Sequence, residues 1–132
     1  MTFSKRGQKT AEDLFEKCKE ISPLYYDGDM PREAWIRDKF SYHIPLLFVG
    51  ATGIAVRLIA PFVEDKLRDS AVIVMDQRGR HVIPLLSGHM GGANEIARNL
   101  ADRVGAEVIL TTATDVEDLF AVDVFARRNG FC

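Results

Sequence analysis

Twelve residues, Pro84-Leu-Leu-Ser-Gly-His-Met-Gly-Gly-Ala-Asn-Glu95, concentrate the groups of this chain that could do chemistry. Gly88, Gly91 and Gly92 let the backbone approach a ligand closely. His89 among them can exchange protons near neutral pH. Asn94 can both donate and accept. Glu95 falls in the first turn of a helix, where the helix dipole favours its ionised form. Each has a plainer reading: a histidine bonded to backbone, a carboxylate that serves a helix start. Ser87 has no nucleophile elbow around it, so Ser87-Gly-His89 does not signal a serine hydrolase.

A second loop, Gly50-Ala51-Thr52-Gly53, has the same strand-loop-helix grammar. The unpaired N–H groups at the start of its helix suit a carboxylate or a phosphate. Thr52 adds a hydroxyl, and Arg57, one turn on, could grip a carboxylate with two hydrogen bonds. A tight turn whose glycines serve only packing is an equal reading. A third loop, Thr111-Thr112-Ala-Thr114-Asp115, offers three hydroxyls and one carboxylate. Asp115 reads either as a base or acceptor, or as a turn or cap aspartate. In open α/β sheets ligands bind beyond the carboxyl ends of the strands. That rule predicts all three loops on one rim.

The elements that must hold these loops follow from hydrophobic spacing. Met1-Thr-Phe3 reads as the tail of a strand and Ser4–Gly7 as the loop after it. A helix is expected from Gln8 to Glu20, with Ala11, Leu14, Phe15, Cys18 and Ile21 on one face. Leu24-Tyr-Tyr26 is a short strand candidate. Asp29 is placed to cap the next helix, whose Trp35, Ile36 and Phe40 point inward. Pro45–Val49 is a continuous apolar run, as in a strand covered on both faces. The helix after Gly53 should end or kink near Ala60, ahead of Pro61. Ala71–Met75 and His81–Leu85 read as a hairpin, with Pro84 pushing the second arm towards an edge or a strand end. Ala93, Ile96, Ala97, Leu100, Ala101 and Val104 form a helical face that Gly105 terminates. Glu107–Thr111 reads as a strand, and Leu119–Arg128 as a last helix.

Strands alternating with helices predict an α/β fold: a three-layer, doubly wound, mostly parallel sheet of flavodoxin-like type with a local hairpin. One domain accounts for all 132 residues. Its first strand is expected to be truncated, and both ends to be cut. The net charge is −2 with signs mixed, and no basic block speaks for nucleic acid. Apolar runs fall far short of the ~20 residues of a membrane span. Cys18 and Cys132 form no paired motif, which suggests a reducing cytoplasm. His43, His81 and His89 lack ligand spacing, so no protein metal site is expected. Neither common nucleotide-loop motif is present.

Gly50-Ala-Thr-Gly-Ile-Ala-Val-Arg57, the twelve-residue loop stretch and Thr111–Asp115 together resemble the amino-terminal domain of the CbiG family in order, separation and wording. Any one of the three is weak; the set is specific. The resemblance implies a cytoplasmic cobalt-precorrin-5A hydrolase of anaerobic cobalamin biosynthesis, which opens a δ-lactone on the corrin precursor and releases acetaldehyde. The cobalt would arrive with the substrate and no separate cofactor is implied. On the residues, His89 is the expected general base, oriented by Asp115 or Glu95. Substrate binding would fall to Gly50, Ala51, Thr52, Gly53, Arg57, Ser87, Gly88, Gly91, Gly92, Asn94, Thr112 and Thr114. Family members usually begin with a full first strand and continue into a linker and a second domain. The implied partner is therefore a separate chain carrying that second domain, or a second copy in a homodimer. Two alternatives stay open: a corrinoid-binding module without catalysis, and a phosphosugar- or nucleotide-binding α/β domain.

Overall fold

The apolar run after Pro45 forms β1 (Leu46–Val49), and the run after Ser70 forms β2 (Val72–Met75) beside it. The two are parallel, with Leu46 opposite Val72 and Val49 opposite Met75. In this computed structural model residues 1–88 and 91–112 are described. Successive side chains of a strand point to opposite faces, and both faces of this sheet are covered. Leu46, Phe48, Val72 and Val74 join Trp35, Ile36, Phe40, Ala55 and Ile59 in one core. Ile73, Met75 and Val82 join Leu14, Cys18, Ala97 and Leu100 in the other. The result is the expected three-layer arrangement: α2 (Arg32–Ser41) and α3 (Thr52–Ile59) on one side, α1 (Lys5–Lys17) and α4 (Ala93–Val104) on the other.

β3 (His81–Leu86) returns antiparallel to β2, and β4 (Glu107–Val108) lies parallel to β3, so the sheet order is β1-β2-β3-β4. Asp76 organises the hairpin turn. Its Oδ1 accepts from the Arg80 and His81 amides at 2.8 and 2.6 Å, and its Oδ2 from the Arg78 amide at 3.3 Å. Pro84 stands opposite Ile73, beside a register shift between Val72 and Ile73, and β4 pairs only as far as Val82. A residue without an N–H is thus kept away from a full ladder on both sides.

Other local expectations are met with shifted bounds. Pro61 ends α3 in a 3₁₀ turn, Ala60–Phe62. Gly105 closes α4 at φ 68°. The strand-like tail at the start is present as a parallel bridge from Thr2 to Val49. Ser4 to Gly7 are not loop. Ser4 caps α1 by accepting the Gly7 amide at 2.9 Å, so the helix starts three residues before Gln8. Leu24–Tyr26 forms no strand. Its rings are used singly, Tyr25 edge-on to Phe15 and Tyr26 to Trp35. Asp29 does not cap α2: Pro31 holds that position, and the Asp29 amide donates to Asp27 Oδ1. β4 ends at Val108 rather than Thr111. The predicted helix Leu119–Arg128 lies outside the described residues.

Candidate functional site

The hairpin decides where the loops go. β1 and β2 run the same way, so Gly50–Gly53 follows β1 at the end marked by Met75; the Gly50 amide donates to the Met75 carbonyl at 2.9 Å. β3 runs back, and Leu86 lies opposite Val72. Ser87 and Gly88 therefore emerge at the other end of the sheet. β4 is parallel to β3, so the segment leading to Thr112 emerges there too. The expected single rim is thus corrected. Four strand residues separate the two ends, a rise of about 13 Å. Arg57 is also exposed on α3, in the layer across the sheet from α4. Among the described residues, Gly50, Ala51, Thr52, Gly53 and Arg57 thus lie apart from Ser87, Gly88, Gly91 and Gly92.

Ser87, Gly88, Gly91 and Thr112 do come together around Asn94. Ser87 is buried with φ 57°, a left-handed conformation uncommon for a residue with a Cβ. Its hydroxyl donates to the Asp69 carbonyl at 3.0 Å, which ties the loop to the residues ahead of β2. Its own carbonyl accepts the Ala93 amide at 3.2 Å, and the Gly88 carbonyl accepts the Asn94 amide at 2.9 Å. The loop is thereby folded onto the start of α4, where backbone N–H groups lack partners within the helix. Ser87 serves as an anchor here, in keeping with the absence of a nucleophile elbow.

Asn94 is 4% exposed, and its side-chain Nδ2 donates to Thr112 Oγ1 at 3.0 Å. One buried amide thus joins the twelve-residue stretch to the third loop. Two of the glycines are required by space. A Cβ on Gly91 would lie 2.5 Å from Ser87 Cβ and 2.8 Å from its carbonyl oxygen; one on Gly88 would lie 2.7 Å from Asn94 Oδ1. Gly92 holds φ 83° at the N-cap of α4. Glu95, next in the chain after buried Asn94, is exposed in the first turn of α4.

His89, Thr114 and Asp115 lie outside the described residues. His89 is bonded directly to Gly88, and Asp115 is three residues beyond Thr112. The anchor that sequence reasoning missed is Asp69. Its carboxylate accepts the Glu64 amide at 3.0 and 3.2 Å while its carbonyl takes the Ser87 hydroxyl. The signal for it was the hairpin, because antiparallel pairing puts the residue before β2 beside the residue after β3.

The family described as "Cobalamin synthesis G N-terminal" matches residues 34–115. A cobalt-precorrin-5A hydrolase of Salmonella typhimurium is 50% identical over 111 residues, covering 84% of this chain and 31% of that protein. A protein of the same name from Priestia megaterium is 44% identical over 92 residues, covering 70% of this chain and 25% of its own. A crystal structure described as that of a cobalamin biosynthesis protein G homolog from Sulfolobus solfataricus superposes with a TM-score of 0.69 at 30% identity, covering 83% of this chain and 35% of that one. The chain thus spans roughly a third or less of the length of these relatives.

Proposed function

Because the chain belongs to the cobalamin synthesis G N-terminal family, we propose that it is the amino-terminal part of a cobalt-precorrin-5A hydrolase. The observation that carries this reading is the 50% identity with a hydrolase of that name over a stretch that includes the glycine loop. The substrate is a cobalt-bearing macrocycle with several carboxylate arms, and the cobalt belongs to it. The reaction opens a δ-lactone with water and releases a two-carbon fragment as acetaldehyde.

The loop Ser87–Gly92 and the Asn94–Thr112 pair form the reacting end of the site. His89 takes a proton from the attacking water. Asp115 or Glu95 orients the imidazole, and Gly88, Gly91, Gly92 and Thr114 line the substrate. The loop backbone is suited to a developing oxyanion, because N–H groups at a helix start cost no reorganisation when charge appears. Gly50–Gly53 and Arg57 stand apart from this centre. No helix among the described residues is long and apolar enough to cross a membrane. A cytoplasmic setting belongs to the proposal and rests on the reducing-compartment reading of the two cysteines.

A second reading is a module that holds the corrinoid without catalysis and needs a partner domain. Visible absorption titration with cobalt-precorrin-5A, followed by an acetaldehyde assay, separates the two. Binding with acetaldehyde release that His89→Ala abolishes supports the hydrolase. Binding without release from the unaltered chain, restored by a second polypeptide, supports the module. Release retained by His89→Ala removes the histidine from the mechanism.

A further inference from the structure

The turn between β2 and β3 is clamped onto α1. Thr10 Oγ1 donates to the Gln77 carbonyl at 2.5 Å, and Ser4 Oγ to Gln77 Oε1 at 3.2 Å. Gly79 turns at φ 69°, and a Cβ there would lie 3.0 Å from Thr10 Cγ2. These contacts are neutral, yet they bring the cations of both elements to one cleft of about 180 Å³. Arg6, Lys9 and Lys17 come from α1, and Arg78 from the turn. The carboxylate in the lining, Asp13, is held by Lys9 at 3.3 Å. Among the described residues Arg6, Lys17 and Arg78 form no ion pair. The carboxylate of the turn, Asp76, is engaged by the turn's own amides and by His81.

Cations gathered around one space repel each other, and an apolar floor strengthens the field between them. Leu14 and Met75, both buried, are that floor. We propose that the cleft binds a small free anion carrying two or more carboxylate or phosphate groups. Arg6 and Arg78 offer planar forks that match either group with paired hydrogen bonds. Three cations without a carboxylate partner call for more than one negative charge. The volume is below the ~300 Å³ at which pockets for drug-sized ligands begin, so the ligand is compact. The cleft is also separate from the loop assigned to the reaction. Val104 borders it at the last residue of α4, whereas Ser87 and Gly88 precede the first, about 17 Å away along the helix.

The test is calorimetric titration with citrate, pyrophosphate and acetate at matched ionic strength, with the amide shifts of Thr10 and Gly79 as a second readout. Citrate or pyrophosphate should bind at least about tenfold more tightly than acetate. Arg6→Gln and Arg78→Gln should each raise that Kd about tenfold, as loss of one charge-assisted contact would. Lys66→Gln removes an exposed charge from the segment ahead of β2. It should leave the Kd within about twofold, because charges that far apart are screened. Tighter citrate assigns carboxylates and tighter pyrophosphate assigns phosphates; either supports the site. Equal binding of acetate, equal weakening by Lys66→Gln, shifts confined to other residues, or no binding overturns it. Displacement of bound citrate by cobalt-precorrin-5A would make the cleft part of the corrinoid site and overturn a separate ligand. The titrations themselves contain no corrinoid, so their failure leaves the hydrolase reading standing.

Discussion

Asn94 Nδ2 donates to Thr112 Oγ1 at 3.0 Å, and this contact joins the start of α4 to the segment after β4. It crosses between two stretches eighteen residues apart in the chain. Asn94→Ala removes a buried partner, and losing such a hydrogen bond costs about 1–3 kcal/mol. Urea unfolding should show that loss. Thr112→Val should show a similar one, and the double variant less than the sum. Additive losses would mean that the two side chains act independently.

The glycines of the two loops should respond oppositely to a methyl group. Gly91→Ala drives a Cβ to within 2.5 Å of Ser87 Cβ and 2.8 Å of its carbonyl oxygen, so the backbone has to move. Overpacking of this kind costs about 1–3 kcal/mol. Gly53 lies within α3, and a Cβ there meets nothing within 4 Å. Gly53→Ala should stabilise by up to about 1 kcal/mol through helix propensity. Melting temperatures of the two variants check the contrast.

Arg57 is exposed on the far layer from the His89 loop. Arg57→Ala should therefore leave acetaldehyde release within about twofold, as an exposed substitution of about 0.5 kcal/mol would. A loss approaching that of His89→Ala would mean that the substrate reaches around the sheet.

The Asp76 carboxyl titrates with the fold. Burial pushes its pKa up, but three backbone amides and His81 outweigh burial and hold it below the usual aspartate value. A depressed folded pKa gives stability that is complete above the unfolded value and lost as pH falls through the folded one. Asp76→Asn should be less stable than the parent at pH 7. The gap should close as pH drops below about 4, as thermal melts between pH 7 and pH 3 would show.

The Met1 amino group gives a slope of the same sign at higher pH. Burial lowers it from 8.0 to about 6. The unfolded chain binds more protons between these values, so stability rises with pH across the window and levels off above 8. The span is on the order of 2–3 kcal/mol. Acetylation of the amino terminus should abolish that pH dependence; a retained slope would place its origin in another group.

Local order was legible wherever one spacing rule settled the matter. The apolar face of α4 and its stop at Gly105 needed only helical periodicity and a residue tolerant of positive φ. The runs at Leu46–Val49 and Val72–Met75 announced strands covered on both sides, and Pro61 announced the end of α3. Leu24–Tyr26 shows the limit: its composition suits a strand, yet a strand exists only where a neighbour offers backbone groups. Asp69 lay hidden for the same reason, since it acts through a carbonyl that any residue type has.

The sequence by itself determined the elements, the three-layer class and the residues of the family motifs, because spacing and glycine placement act over a few positions. It even contained the hairpin. Only the tertiary structure decided which loops share an end. Reversing β3 sends its carboxyl end away from that of β1, and β4 follows β3, so Ser87 and Gly88 come near Thr112 and part from Gly50–Gly53. Strand direction is a property of pairing, and pairing joins residues far apart in the chain.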